Sequence, residues 1–259
     1  MEVVIVRDEH TVGELAADII SARLTLGGHP VIGLATGSSP LAAYHSLIER
    51  CRSGEVSFAD ASAVMLDEYV GLSDDHPQTN RNVIRRDLVD RIDLPFERLY
   101  CPPADREDLE AACGHYDRQV TNLVVDVQLL GIGSNGHLAF NEPGSSFASR
   151  TRVKTLAEQT RRDNARFFPS LDEVPRHVVT QGLATLLQAK HLVLVASGPA
   201  KAAPVAAALE GPVTAMCPAS VLQLHQHATI LIDEQAASDL QLSGYYQKTL
   251  EHKPAWQSF

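Results

Sequence analysis

The feature that most constrains the fold is a short apolar segment that recurs along the chain and leads into a small polar loop. Segments of this length, rich in β-branched residues, are typical of strands buried on both faces of a parallel sheet. The segments are Val3 to Val6, Pro30 to Ala35, Ala61 to Leu66, Val125 to Ile132, His191 to Ala196 and Ala228 to Ile232. Helical periodicity lies between them. The sequence therefore predicts one α/β domain over residues 1–259, with a single doubly wound, mostly parallel sheet and helices on both faces.

Charge and composition narrow the range of partners. The net charge of −10 argues against binding to nucleic acid or to an anionic membrane, because both require a basic surface. The first ten residues are acidic where a secretion signal would be basic, and no apolar run is long enough to span a membrane. We therefore expect a cytoplasmic protein. Its four cysteines lack Cys-x-x-Cys or metal-ligand spacing, which predicts reduced thiols and no metal site.

The segment from Val125 to Pro143 holds the densest chemistry. An apolar strand runs into three glycines, after which His137 and Glu142 follow within a few positions. In an open α/β sheet, ligands bind beyond the carboxyl ends of the strands, which is where this loop lies. A lone histidine would suit an ordinary turn. A histidine with a nearby carboxylate and a glycine-rich backbone favours a catalytic site.

Residues 131–136 also fit the Gly-x-Gly-x-x-Gly pattern of dinucleotide binding. That interpretation needs a helix at the last glycine and an acidic residue about 20 positions later. The stretch from His137 to Pro143 leaves no room for a helix, and the region from Arg150 to Lys154 is basic. The sequence therefore argues against a dinucleotide cofactor.

Three places are candidates for binding an anion. The loop from Thr36 to Pro40 lies between a strand and a helix, a geometry that suits phosphate, although Ser39 could equally be an ordinary helix cap. Arg166 belongs to an arginine-rich segment, and Lys201 precedes an alanine-rich helix. Each of these two is also explained by a solvated surface.

A second set of acidic residues follows another buried strand. Asp67 and Glu68 are adjacent at its end, which is costly unless they are solvated, paired or used in catalysis. Together with His137 and Glu142, they point to acid–base chemistry on a small sugar-phosphate-like anion. A proton moved between neighbouring carbons of such a sugar is an aldose–ketose isomerisation. His225 and His227 have no third ligand at metal spacing and are interpreted as structural or surface histidines.

Four motifs in this order resemble the glucosamine-6-phosphate deaminase family, and the likeness runs nearly end to end. They are Ala35 to Pro40, Leu66 to Leu72 (LDEYVGL), Gly131 to Pro143, and Ser149 to Leu156. The resemblance implies a Rossmann-like fold and conversion of glucosamine 6-phosphate and water to fructose 6-phosphate and ammonia, in amino-sugar catabolism. It implies no metal and no organic cofactor.

The resemblance also implies roles for individual residues. His137 would open the pyranose ring, with its protonation tuned by Glu142, and Asp67 would move a proton from C2 to C1. The phosphate would be bound by Gly37, Ser38, Ser39, Arg166 and Lys201.

Two positions depart from the family pattern. Some members have aspartate where this chain has Asn135, which can orient His137 or bind substrate but cannot act as a base. Gln78 to Arg81 replaces a frequent Ser-Tyr pair, which leaves the amino sugar open. The alternatives are a galactosamine-6-phosphate deaminase or isomerase, a 6-phosphogluconolactonase, and a non-enzymatic sugar-phosphate sensor. A sensor would be expected to carry a helix-turn-helix, for which the chain has no evident segment.

The resemblance leaves quaternary structure and regulation open. Some members are hexamers activated by N-acetylglucosamine 6-phosphate, through residues like Ser145, Arg152, Lys154 and Thr155, and others are unregulated monomers. The C-terminal segment HKPAWQSF does not distinguish a monomer from a homo-oligomer.

Overall fold

The computed structural model describes residues 1–105, 107–254 and 257. Four of the eight residues of the HKPAWQSF segment therefore lie outside the described residues. The described chain forms a large parallel sheet and a small antiparallel one. The strands are β1 (Glu2–Val6), β2 (Val31–Leu34), β3 (Ser62–Met65), β4 (Asp67–Tyr69), β5 (Leu99–Tyr100), β6 (Val127–Leu130), β7 (Arg152–Thr155), β8 (His177–Thr180), β9 (His191–Ala196) and β10 (Ala228–Asp233).

Seven strands form the parallel sheet, in the order β1-β10-β9-β6-β2-β3-β5. From β2 the chain moves outward through β3 to β5, and it then returns to β6, beside β2, and moves the other way. The sheet therefore reverses direction between β2 and β6. The prediction of a doubly wound, mostly parallel sheet is confirmed.

Helices cover both faces of this sheet. They are α1 (Glu9–Thr25), α2 (Leu41–Ser53), α3 (Asn80–Asp87), α4 (Leu109–Leu123), α5 (Glu158–Asn164), α6 (Leu183–Leu186), α7 (Ala202–Leu209) and α8 (Ser243–Glu251), with short 3-10 turns between some of them. Alternate residues of a strand contact opposite cores. Ile230 and Ile232 belong to the core with α4 and α7, whereas Leu231 belongs to the core with α1 and α2. This two-sided burial explains why the strands are continuously apolar.

The second sheet has the order β4-β8-β7, and its strands are antiparallel. Asp67 and Glu68 follow the carboxyl end of β3, as the sequence predicts, and they also begin β4 of this second sheet. The Leu66 carbonyl accepts a bond from the Gln181 amide at 2.8 Å, and Asp67 then pairs with Thr180. Both acids are consequently buried, at 5% and 7% exposed, so a solvated strand end is excluded.

The start of α2 is fixed by a tyrosine rather than by a serine cap. The residue before the helix is Pro40, and no side-chain hydrogen bond caps the helix, so the interpretation of Ser39 as a helix cap is wrong. Instead the buried Tyr44 hydroxyl donates to the Ala35 carbonyl at 2.7 Å and accepts from the Ala35 amide at 3.1 Å. Because Ala35 directly follows β2, this pair of bonds fixes the loop from Thr36 to Pro40 against α2.

The histidines near β9 and β10 make contacts typical of structural residues. The rings of His191 and His227 are stacked with centroids 3.7 Å apart, and His191 Nε2 lies 2.8 Å from Thr229 Oγ1. His225 contacts two backbone carbonyl oxygens. Within the described ranges, no group of three or more His, Cys, Asp or Glu is arranged to hold a metal ion. None of the helices in the same ranges has the length and apolar character needed to cross a membrane.

Removing the Tyr44 hydroxyl tests whether it stabilises the end of β2. Tyr44→Phe leaves both Ala35 backbone groups without a partner, so we expect the free energy of unfolding to fall by about 1–3 kcal/mol. Urea unfolding followed by circular dichroism measures this change, with Tyr245→Phe as control because Tyr245 is exposed. Equal stability of the two variants would contradict the role assigned to Tyr44.

Candidate active site

A cavity of about 710 Å³ opens at the carboxyl ends of β2, β3, β6 and β9. It lies where the sheet reverses between β2 and β6, the position at which open α/β sheets bind ligands. Seven of the predicted site residues line it: Gly37, Ser38, Ser39, Asp67, His137, Arg166 and Lys201. The other two, Asn135 and Glu142, contact His137 or its neighbours from behind. The structure thus brings all nine predicted residues to one place.

Asp67 lies in the wall of this cavity with little contact to water. Its Oδ1 accepts a bond of 2.6 Å from Nδ2 of Asn80. Burial and the neighbouring charge of Glu68 raise the pKa of Asp67 to about 8, against the opposing effect of the Asn80 bond. A carboxyl group with a pKa near neutrality can both take and return a proton, as a general base must.

Glu68 has a different environment although it is the next residue. Its carboxylate accepts three backbone N–H bonds, from Tyr69 and Asn80 at 2.8 Å and from Arg81 at 2.9 Å. Two of these donors belong to the first turn of α3, where N–H groups have no partner within the helix. Glu68 therefore serves as an anchor for α3, and Asp67 is the acid that faces the cavity.

The loop after β6 places His137 by means of two glycines. The Gly133 amide donates to the His137 carbonyl, and the Gly136 amide to the Gly133 carbonyl, both at 3.0 Å. Gly136 has φ of +79°, and a Cβ on Gly133 would come within 2.2 Å of the His137 ring. A side chain at Gly133 would thus displace the imidazole, and one at Gly136 would be strained and would meet Sγ of Cys217 at 2.7 Å.

Glu142 and Asn135 lie behind the imidazole. His137 Nδ1 is 3.6 Å from Glu142 Oε2, the same oxygen that accepts a 2.7 Å bond from Asn135 Nδ2. Asn135 Oδ1 accepts the His137 amide at 3.2 Å, and Glu142 Oε1 accepts the Ala157 amide at 3.0 Å. Burial alone would raise the pKa of Glu142, but interactions with His137 and Thr160 hold it at about 2. An ionised Glu142 therefore faces His137 at neutral pH.

Two cations meet at the other end of the cavity. Lys201 Nζ donates to the Ile132 carbonyl at 2.6 Å, so the ammonium is fixed beside the loop after β6. Burial and the charge of Arg166 lower the pKa of Lys201. Two cations that repel each other beside the small residues Gly37 to Ser39 form a site that an anion would stabilise.

Some cavity residues are not predicted by motif spacing. Asn80 falls within Gln78 to Arg81, the segment that departs from the family pattern, and this departure was the only available signal. Tyr69 accepts a 3.0 Å bond from Asn164, and both line the cavity. Thr160, which interacts with Glu142, also lines the cavity. Such contacts depend on chain pairing that periodicity does not reveal.

A sequence model of the protein family described as glucosamine-6-phosphate isomerases/6-phosphogluconolactonase matches residues 8–231 of the chain. The chain belongs to this family. It is 53% identical to a glucosamine-6-phosphate deaminase of Pseudarthrobacter chlorophenolicus over 258 residues, and 55% identical to one of Beutenbergia cavernae over 259 residues, with 99% of each chain covered in both cases. The likeness to the deaminase branch of the family therefore extends over almost the whole chain.

Solved structures of the family agree with the fold. A monomeric glucosamine-6-phosphate deaminase superposes with a TM-score of 0.90 at 42% identity, covering 92% of this chain and 100% of that one. A 6-phosphogluconolactonase from Thermotoga maritima gives a TM-score of 0.68 at 19% identity, covering 90% and 98%. The second likeness shows the fold alone.

The raised pKa of Asp67 predicts that this residue destabilises the folded protein at alkaline pH. The unfolded chain loses the Asp67 proton near pH 4 and the folded chain near pH 8, so stability is lost as the pH rises between these values. Asp67→Asn should remove this loss. We expect the variant to gain about 2–4 kcal/mol in unfolding free energy over the native protein at pH 9, and much less at pH 5.

Urea unfolding at the two pH values measures the gain, with Asp60→Asn as the control because Asp60 is exposed. The same difference between variant and native protein at both pH values would show that Asp67 does not hold its proton in the folded state.

Proposed function

We propose that this protein is a cytoplasmic glucosamine-6-phosphate deaminase, a single catalytic domain that converts glucosamine 6-phosphate and water to fructose 6-phosphate and ammonia. One observation carries the proposal. Asp67 and His137, which are 70 positions apart in the sequence, line the same cavity as Gly37 to Ser39, Arg166 and Lys201, the residues expected to bind phosphate. Relatives of this name are more than 50% identical over nearly the whole chain, which supports the same activity.

The phosphate group would bind at the cationic end. Backbone N–H groups of Gly37 to Ser39, just before α2, suit its oxygens, and Arg166 can offer two parallel donors. Lys201 adds a charge fixed by the Ile132 carbonyl. Because the same contacts hold the phosphate before and during the reaction, they serve to position the sugar at the far end of the cavity.

His137 would open the sugar ring. Its Nδ1 lies 3.6 Å from Oε2 of the ionised Glu142, which orients the ring. An imidazole so held can donate a proton to the ring oxygen and take up the proton that leaves the C1 hydroxyl. Asn135 would keep Glu142 in place through their 2.7 Å bond. The product is the open-chain aldehyde.

Asp67 would then move a proton between carbons. Its ionised form takes the proton from C2, the electrons shift toward the C1 oxygen, and an enolamine forms. The same carboxyl group returns the proton to C1, which gives an imine at C2. Water adds to that carbon and ammonia leaves, so one water is consumed for each ammonia released. The pKa of about 8 suits both halves of this transfer.

Regulation stays a prediction. Arg152 donates to Asn141 Oδ1 at 3.0 Å and to Ser145 Oγ at 3.3 Å, beside Lys154 and Thr155 on β7. These residue types match those by which some family members respond to N-acetylglucosamine 6-phosphate. A solved relative is described as a monomeric deaminase, so a homo-oligomer does not follow from the family. Sigmoidal kinetics that become hyperbolic with the N-acetyl sugar phosphate would support regulation.

The substrate is tested by measuring ammonia release from glucosamine 6-phosphate and galactosamine 6-phosphate, and acid release from 6-phosphogluconolactone. We expect kcat/KM for glucosamine 6-phosphate to exceed that for its C4 epimer by at least about tenfold, since one misplaced hydroxyl leaves a polar group unpaired. No hydrolysis of the lactone is expected. His137→Gln should abolish ammonia release from the closed-ring sugar.

The proposal fails if glucosamine 6-phosphate yields no ammonia. Faster turnover of the galactosamine compound would reassign the substrate. Lactone hydrolysis without ammonia release would place the chain in the other branch of its family.

A further inference from the structure

Two adjacent acids of β4 hold the same residue, Asn80, from two directions. Glu68 accepts the Asn80 backbone N–H at 2.8 Å, and Asp67 Oδ1 accepts its side-chain amide at 2.6 Å. The same amide nitrogen is 3.2 Å from the Asp67 carbonyl oxygen. Asn80 is 4% exposed, so neither bond competes with bulk water. The two acids and Asn80 therefore form one hydrogen-bonded unit.

This unit fixes the side chain of Asn80 before any substrate arrives. Asn80 is the first residue of α3, and Glu68 also accepts the N–H of Arg81, the second residue. Thr79 caps the same turn, accepting from Asn82 at 3.3 Å. Because its backbone is held on both sides, only the side-chain rotamer of Asn80 is free to vary. In the observed rotamer the side-chain amide donates to Asp67.

We propose that Asn80 is the positioning residue of the general base: Glu68 holds Asn80, and Asn80 orients the Asp67 carboxylate so that one oxygen faces the substrate. This inference rests on the proposed function for the identity of the moved proton. Asn80 donates to Oδ1, and no hydrogen bond from the described residues reaches Oδ2. Oδ2 is thus the oxygen that remains for the C2 proton. Such preorganisation removes a rotation that the base would otherwise make during the reaction.

The amide also offsets the electrostatic cost of ionising Asp67. The elements around Asp67 carry several other ionisable groups. These are Glu68 and Tyr69 on β4, Tyr116 on α4, Arg81, Arg86 and Asp87 on α3, and His137 in the cavity lining. Burial and the charge of Glu68 raise the pKa of Asp67, and the Asn80 bond lowers it. Without that bond, less of the base would be ionised at neutral pH.

The test compares Asn80→Ala and Asn80→Asp in the full-length protein. The acidic limb of the kcat/KM profile for ammonia release reports ionisation of the free base. Loss of the donor disfavours the ionised form, so Asn80→Ala should move this limb up by about one pH unit. Asn80→Asp has the same shape as the native residue but adds a negative charge, so it should move the limb further. A purely steric role predicts the opposite order, with Asn80→Asp close to the native protein.

The matched control is Asn82→Ala. Asn82 lies in the same helix and donates to the carbonyls of Asp74 and His76, but it does not touch Asp67. Removing the Asn82 side chain should leave the midpoint of the acidic limb within about 0.2 pH units of the native value. Loss of a charge-assisted hydrogen bond to Asp67 would shift this midpoint by more. A limb moved equally by the Asn82 and Asn80 variants would overturn the inference, since it would assign the effect to general loosening of α3.

A second readout does not need turnover. The Asp67 carboxyl carbon, labelled with carbon-13 and assigned by its loss in Asp67→Asn, can be titrated by NMR without substrate. We expect its midpoint to rise from native to Asn80→Ala to Asn80→Asp. Unchanged midpoints would overturn the inference whether or not the protein releases ammonia. Absence of ammonia release with shifted midpoints would instead count against the proposed function alone. If Asn80→Ala does not fold, Asn80→Asp against the native protein decides the sign.

Discussion

The burial of two adjacent carboxylates at the start of the small sheet is the constraint on which the rest of the site depends. Removing such charges from water is unfavourable unless hydrogen bonds or cations replace the lost solvation. Glu68 is provided with three backbone N–H donors, two of them from α3. Asp67 receives one side-chain donor and the repulsion of its neighbour. Burial raises the pKa of both acids, but three backbone donors oppose this at Glu68, which anchors α3, whereas only the Asn80 bond opposes it at Asp67.

Glu142, which lies behind His137, shows the reverse arrangement. Glu142 is held in its ionised form by His137, Asn135 and the Ala157 amide. Its pKa is therefore pushed down while that of Asp67 is pushed up. Carboxyl groups whose environments separate their pKa values in this way can take different roles in one reaction. In the proposed reaction, one supports an imidazole, and the other exchanges protons with substrate.

Much of this arrangement could be predicted because a parallel sheet places the carboxyl ends of its strands at one edge. The apolar runs predicted the strands, and the loops that follow them contain His137, Lys201 and Gly37 to Ser39. The order of strands and helices along the chain was enough to predict that these loops lie close together. The Thr36 to Pro40 loop was harder to interpret, since a serine before proline suits a helix cap as well as a phosphate site, and only the structure shows that no side chain caps α2.

The small sheet and Asn80 could not be predicted in the same way. A strand of three residues, such as β4, is too short to show alternation, and its partner β8 lies more than 100 positions away. The pairing of Asp67 with Thr180 is what buries the acid, so its environment followed from a long-range contact. Asn80 likewise contacts Asp67 only because Glu68 fixes the start of α3, and no local pattern encodes that relation.

The central claim is that Asp67 itself transfers the sugar proton, and glucosamine 6-phosphate with deuterium at C2 tests it most directly. NMR of the fructose 6-phosphate shows where the label goes. The native protein should place part of the deuterium on C1, because one carboxyl group takes it from C2 and returns it. Asp67→Asn should form labelled product at least about a thousandfold more slowly. Deuterium reaching C1 in Asp67→Asn at the native rate would contradict the account.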